Sequence, residues 1–180
     1  MAVKLDMSKA YDRVEWHFLR VMMQKMGFCS RWINWIMKCV ETVSYSFNIN
    51  GEVKEYIVPE RGIRQGDPLS PYLFLLCSKG FSNLLKRVEE EKKISGLKIS
   101  RNGPRLTHLF FVYDLLIFCK ADTNQAEELK RILVTYEKSS GQLINLEKSY
   151  IFFSKNMDHG KKLEVCCKLG NIHMVNQGKY

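Results

Sequence analysis

The sequence predicts an α+β fold in which a mostly antiparallel sheet packs on helices. Three observations lead there. Short apolar or alternating runs are bounded by turn signals, above all Asn50-Gly51 and Asn102-Gly103. Longer runs repeat apolar residues at helical spacing between capping residues and glycine stops. Both kinds of segment are distributed along the whole chain, with no internal repeat and no low-complexity linker, as expected for layers of hairpins and helices around one core.

In chain order, Ala2-Val3-Lys4-Leu5 reads as a short strand. From Glu15 to Met26 the apolar residues Phe18, Leu19, Met22, Met23 and Met26 fall at helical spacing, and Gly27 stops that helix. Ser30 is placed to cap a second helix through about Val40, with Trp32, Ile33, Ile36, Met37 and Val40 on one side. Tyr45, Phe47 and Ile49 alternate with polar residues, and Asn50-Gly51 turns the chain into a return strand from Val53 to Val58. An irregular segment from Pro59 to Pro68 precedes Ser70, read as the cap of a helix with Pro71 in its first position. That helix runs to about Glu91, apolar early and charged late, so it is expected to leave the core for solvent. Leu97-Lys98-Ile99 and Arg105 to Phe110 make another hairpin about Asn102-Gly103, and Leu115 to Cys119 continues as a strand after Asp114. Thr123 is read as the cap of a helix from Asn124 to about Ser139, ended by Gly141. Ser149 to Phe153 forms a last strand, followed by a short helix near Lys161 to Leu169.

The chain of 180 residues fits one ordinary domain, and 46% hydrophobic residues exclude general disorder. Lys plus Arg number 28 against 19 Asp plus Glu, a net charge of +9. That balance is met equally by a soluble basic surface and by a polyanionic partner, of which nucleic acid is the commonest. Six cysteines (Cys29, Cys39, Cys77, Cys119, Cys166 and Cys167) include no C-x-x-C pair, which argues against a zinc site. Most lie in apolar runs, where a thiol behaves as a small hydrophobe, and the pattern suits a reduced compartment. The run Leu109–Cys119 is interrupted by Asp114 and too short to span a bilayer. Met1 leads directly into a strand with no signal peptide. The expectation is an intracellular protein, nuclear or cytoplasmic, without membrane association.

Four segments could carry chemistry. Asp6 ends a strand, where a rigid backbone can present a carboxylate to a hard cation, although by itself such an aspartate is most often a turn or cap residue. Asp114 interrupts two apolar half-strands, at a cost of about several kcal/mol unless it is paired, metal-bound or in a tight turn. A hairpin turn through Tyr113-Asp114 accounts for it. In Arg64-Gln65-Gly66-Asp67-Pro68-Leu69-Ser70-Pro71, Gly66 permits close backbone approach. Arg64 and Gln65 supply donors there, and the following helix N-terminus favours anions. The plainer reading is a well-capped helix start. Lys148, within Ser140–Ser149, is by itself a solvated lysine.

Taken in order, these segments resemble the successive motifs of reverse transcriptases, in the form found in LINE-type (non-LTR) retrotransposons, especially of plants. Leu5-Asp6-Met7-Ser8-Lys9-Ala10-Tyr11-Asp12-Arg13-Val14 resembles the first palm motif. Arg64 to Pro71 resembles the second almost letter for letter, His108 to Ala121 the third, and Gly141 to Ser149 the fourth. The resemblance implies a polymerase palm that performs RNA-directed DNA synthesis on an RNA template, a DNA primer and dNTP. Asp6 would ligate two catalytic Mg2+ ions (Mn2+ serving as well), with the Leu5 carbonyl nearby and Asp114 as a second metal ligand. Tyr11 would be the aromatic gate against a ribose 2′-hydroxyl. Arg64, Gln65, Gly66 and Pro68 would line the nucleotide and template, and Lys148 would stand near the leaving pyrophosphate.

The sequence also departs from that pattern. The family's third motif reads Phe-Ala-Asp-Asp, and here it is Phe111-Val112-Tyr113-Asp114. A neutral phenol supplies no charge and is a poor magnesium ligand, so metal binding is expected to be impaired and activity degenerate. The first motif begins six residues in, and the chain closes on Asn176-Gln177-Gly178-Lys179-Tyr180. The expectation is a palm-like domain over 1–155 and a truncated connection segment over 156–180, with fingers and thumb largely absent. A competing expectation is a non-catalytic nucleic-acid-binding palm module. A third is a relic that aggregates through exposed faces of Trp32, Trp35 and Phe81.

Overall fold

In the computed structural model, residues 1–101, 103–111 and 114–175 are described. They gather into two compact units. One comprises Met1–Ser8, Phe81–Lys138 and the chain from Gln142 onward, and the other comprises Lys9–Gly80 and Ser139–Gly141.

The first unit is built on a five-stranded sheet. Its strands are β1 (Ala2–Ser8), β6 (His108–Phe111), β7 (Asp114–Phe118), β8 (Leu143–Phe152) and β9 (His173–Met174), in the order β6-β7-β1-β8-β9. Every pairing is antiparallel except β8 with β9. Alternation along the central strand explains its position: Val3, Leu5 and Met7 are buried, while Lys4, Asp6 and Ser8 fall on the opposite, half-open face. Leu115 and Ile117 of β7 are fully buried beside them. From Phe81 onward, helix α3 (Ser70–Glu90) covers the apolar side together with α4 (Thr123–Ser140). There Phe81 of α3 meets Phe110 of β6 edge-on at 6.1 Å and Tyr136 of α4 at 4.9 Å. Phe81 is thus fully buried, and the expectation that it is exposed is corrected. The charged second half of α3 does not leave the core either. Phe81, Leu85 and Val88 recur at helical spacing on one buried stripe, and the charges take the other faces. A short ladder of β4 (Leu97–Lys98) and β5 (Arg105–Leu106) replaces the longer predicted hairpin, and Ile99 is exposed. The turn residue Asn102 lies outside the described residues. Helix α5 (His159–Lys168) completes this unit.

The second unit holds α1 (Trp16–Lys25), α2 (Ser30–Glu41), the start of α3 to Gly80, and a separate ribbon of β2 (Tyr45–Ile49) with β3 (Glu52–Ile57). Leu19, Met23, Ile33, Met37, Phe74 and Cys77 supply buried side chains here. A Cβ on Gly80 would meet Phe18 Cζ at 2.9 Å, so any larger residue where α3 passes α1 must push that ring aside. Asn50 (φ 54°) and Gly51 (φ 86°) both have positive φ, as the Asn-Gly hairpin signal requires. Yet every residue of the ribbon is exposed on both strands, and a bulge falls between Ser46 and Phe47.

Helix entries differ from the predicted caps in one consistent way. At α4 the cap is Asp122, whose Oδ1 accepts from Gln125 N at 2.9 Å, and Thr123 lies inside the helix. At α3, Asp67 Oδ1 accepts from Leu69 N at 2.8 Å, while Ser70 is buried within the first turn. At α2 the cap position is Cys29, without a side-chain bond, and Ser30 is already helical. At α3 the Asp67 carboxylate closes an Asx turn ahead of the helix, while at α4 the carboxylate upstream of the hydroxyl takes one of the helix's own orphan N–H groups. Asp158 does the same for α5, accepting from Lys161 N at 3.2 Å.

All six cysteines are free thiols: Cys77, Cys119 and Cys166 are buried, and Cys29, Cys39 and Cys167 exposed. Burial pushes Cys77 up to about 12 and Cys119 up to about 11, so both stay protonated and serve as packing. No helix among the described residues is long and apolar enough to cross a membrane.

Candidate active site

The two predicted metal-ligand carboxylates come together on the sheet of the first unit. Asp6 of β1 stands directly opposite Asp114, the first residue of β7. Directly opposed residues share a face, with Cβ atoms about 4.5–5.5 Å apart. The face is the half-open one, since their neighbours Leu5 and Leu115 point into the core. Two like charges so placed repel unless a cation lies between them. Part of that cation is already present: Lys4 Nζ is 3.1 Å from Asp114 Oδ2, with both side chains about two-fifths exposed. Alternation could have found Lys4, which shares the face of Asp6 two residues away.

The other side of Asp6 is shaped by an irregularity in β8. Lys4 pairs with Tyr150, but Asp6 pairs with Asn145, so Leu146 to Ser149 bulge out of the ladder. Ser149 fills the gap. Its Oγ accepts from Asp6 N at 3.2 Å and donates to Asn145 O at 2.6 Å, and the residue is fully buried. Sequence reasoning missed Ser149, because a serine in a strand carries no signal that it will mend a bulge. Lys148 sits in that bulge, exposed, with its N–H donating to Asn145 Oδ1 at 3.3 Å. The fourth motif therefore brings its lysine to the strand beside Asp6.

As a donor set, Asp6 and Asp114 suit a hard divalent cation, which takes carboxylate oxygens. They are two ligands rather than three. Among the described residues no cluster of three or more His, Cys, Asp or Glu could hold a metal. Tyr113 lies outside the described residues.

The remaining predicted residues lie in the second unit. Tyr11 follows β1 in a turn, its ring 5.3 Å from that of Phe74 on α3. Its carbonyl accepts from Ile63 N at 2.9 Å, which ties it to the segment bearing Arg64 and Gln65. Gly62 N donates to Val14 O at 2.8 Å, and the Gly62 carbonyl accepts from Trp16 Nε1 at 2.6 Å. Only glycine fits there: φ is 91°, and a Cβ would lie 2.8 Å from Asp12 O. Arg64, Gln65, Gly66 and Pro68 are exposed, and Gly66 has φ 89° with open space where a Cβ would be. Trp16 and Phe74 are the positioning residues that the motif pattern did not name.

Residues 1–169 match the family model described as reverse transcriptase (RNA-dependent DNA polymerase). An uncharacterized mitochondrial protein of Arabidopsis thaliana is 48% identical over 68 residues, covering 38% of this chain and 56% of that protein. The Pol polyprotein of the type-2 retrotransposable element R2DM of Drosophila melanogaster is 32% identical over 117 residues, covering 64% of this chain and 10% of that protein. The chain thus spans only part of its curated relatives. In structure it is similar to Candida albicans telomerase, solved with a fragment of telomeric RNA, with a TM-score of 0.64 at 16% identity over 86% of this chain and 28% of that one. The α+β palm-like fold is shared with that enzyme, and the motifs lie within the matched residues: the chain belongs to the reverse transcriptase family.

Proposed function

We propose that this reverse transcriptase-like domain binds an RNA template and primer and holds Mg2+ weakly at Asp6 and Asp114, with template-directed nucleotidyl transfer impaired because Tyr113 replaces a metal-binding aspartate. The observation that carries the reading is the direct cross-strand pairing of Asp6 with Asp114 on an open sheet face. Reverse transcriptase domains generally use divalent metal ions. Bound there, such ions would supply charge stabilisation for the attacking and leaving oxygens of an in-line displacement. The chain's own residues take the other roles. Asp6 and Asp114 present hard oxygens. Lys148 would neutralise the departing pyrophosphate, Tyr11 would exclude a ribose 2′-hydroxyl, and Arg64, Gln65, Gly66 and Pro68 would line the nucleotide and template. Lys4, paired with Asp114, competes with a cation for that carboxylate.

Primer extension on an RNA template tests this. The purified chain should extend no primer with Mg2+ or Mn2+, and robust extension would overturn the impairment. Tyr113→Asp should raise extension above background. If it does not, Tyr113 is not the sole defect. The second reading, a non-catalytic nucleic-acid-binding palm module, is favoured by the net charge of +9. It requires RNA or DNA binding at low micromolar concentration that weakens steeply with salt.

A further inference from the structure

Helix α2 has two faces with different chemistry. Ile33, Ile36, Met37 and Val40 are buried, so its packing side is complete. Trp32 and Trp35 lie off that side, 45% and 49% exposed, with ring centroids 6.1 Å apart and planes at 66°. Exposed indoles this large, paired and adjacent, are unusual on a surface that does not use them. Cations flank them. The Arg31 guanidinium lies 4.7 Å from the Trp35 ring centroid, one turn before it, and Lys38 follows three residues after. Among the described residues neither cation forms an ion pair, and the acid of this helix, Glu41, is taken by Arg20 at 3.0 Å.

We infer that this face of α2 is a stacking platform for unpaired nucleic-acid bases, with Arg31 and Lys38 contacting the adjoining phosphates. Rings that accept any base's π-face, set among unpaired cations, are the means by which proteins hold single strands without reading their sequence. A polypeptide partner would have to bring carboxylates to both cations as well as an apolar cover. A nucleic-acid strand brings regularly spaced anions and flat rings together, and it matches a chain of net charge +9. None of the four sequence motifs falls on α2, so the platform is separate from the catalytic reading and does not depend on it.

The test is fluorescence anisotropy of the whole chain with a labelled oligouridylate of about 15 nucleotides, within the ~4–16-nucleotide range of single-strand sites. Each ring should contribute about fivefold to 150-fold in affinity. The Trp32→Ala/Trp35→Ala variant should therefore bind at least about 25-fold more weakly, with its melting temperature kept. Should it fail to fold, Trp32→Leu/Trp35→Leu keeps the apolar bulk and should show the same loss, whereas Trp35→Phe keeps the ring and should bind within about threefold of the parent. Leu163→Ala, an exposed apolar residue of α5 that belongs to neither site, should leave binding unchanged. Three results would overturn the inference. One is unchanged affinity in the double variant. Another is an equal loss of binding to a duplex of the same length, whose bases cannot stack on the rings. The third is concentration-dependent self-association that the double variant abolishes while oligouridylate affinity holds, which would assign the face to a second protein chain.

Discussion

The five-stranded sheet and the β2–β3 ribbon begin from the same sequence signal and end in opposite environments. Both alternate apolar with polar residues. In β1 that alternation sorts the chain into a buried row, Val3, Leu5 and Met7, and a half-open row, Lys4, Asp6 and Ser8. In the ribbon, Phe47 is 51% exposed, Val53 60% and Tyr56 77%, and neither face is covered. A period of two reports that a strand could be half-buried, and not that a covering layer exists. Cover for the sheet comes from Phe81 on α3, edge-on to Phe110 of β6 with Tyr136 of α4 against it, both far from that strand in sequence.

The sharpest way to test that contrast is to truncate one large side chain in each region. Phe81→Ala removes a fully buried ring with two aromatic partners and should cost about 3–5 kcal/mol. Tyr56→Ala in the ribbon should change stability by less than about 0.5 kcal/mol. Urea unfolding of the two variants, with equal m-values, measures both. Similar losses would mean that the ribbon's apolar residues are covered in solution.

A smaller effect should separate the face bearing Asp6 from the bare ribbon. Ser149→Ala leaves Asp6 N and Asn145 O without their shared hydroxyl inside the sheet, a cost of about 1–3 kcal/mol. Ser46→Ala, also a strand serine beside a bulge but exposed, should be close to neutral. If Ser149→Ala were neutral too, the β8 bulge would hold its shape without the hydroxyl, and Asp6 would not depend on it.

Much of the fold was legible, and the reasons for the gaps are local. Asp6 and Asp114 could be paired from motif order, because successive palm strands must deliver carboxylates to one point. Lys148 lies inside β8 (Leu143–Phe152) rather than ahead of a strand beginning at Ser149, and the bulge that carries it was not foreseeable, since nothing in Leu146-Glu147-Lys148-Ser149 breaks a strand by composition. The caps were misplaced at α2, α3 and α4 because several residue types near each helix start can cap, and the geometry of the preceding loop decides among them. The late half of α3 was read as solvated because Lys86, Arg87, Glu89 and Glu90 crowd its end. Three apolar positions at the right spacing sufficed to bury one stripe.

The smallest expected effect lies at Lys4, and its response to metal is the informative part. The Lys4–Asp114 pair is about two-fifths exposed on both sides, so its contribution to stability should be only ~0.2–1 kcal/mol. Lys4→Met keeps the stem and removes the charge. Without metal, the variant should be slightly less stable, because Asp6 and Asp114 then face each other with no cation beside them. With Mn2+ the gap should close. The ammonium no longer competes for Asp114, so the divalent ion should bind up to about fivefold more tightly, the equivalent of the same ~1 kcal/mol, which offsets the lost pair. Melting temperature followed across a Mn2+ titration should show the two curves converging, with the ribbon variant Lys54→Met as a control whose distance from the parent stays constant. A Lys4→Met curve that keeps its distance below the parent at all Mn2+ concentrations would mean that the two carboxylates do not share a cation, and that their opposition on the sheet is structural.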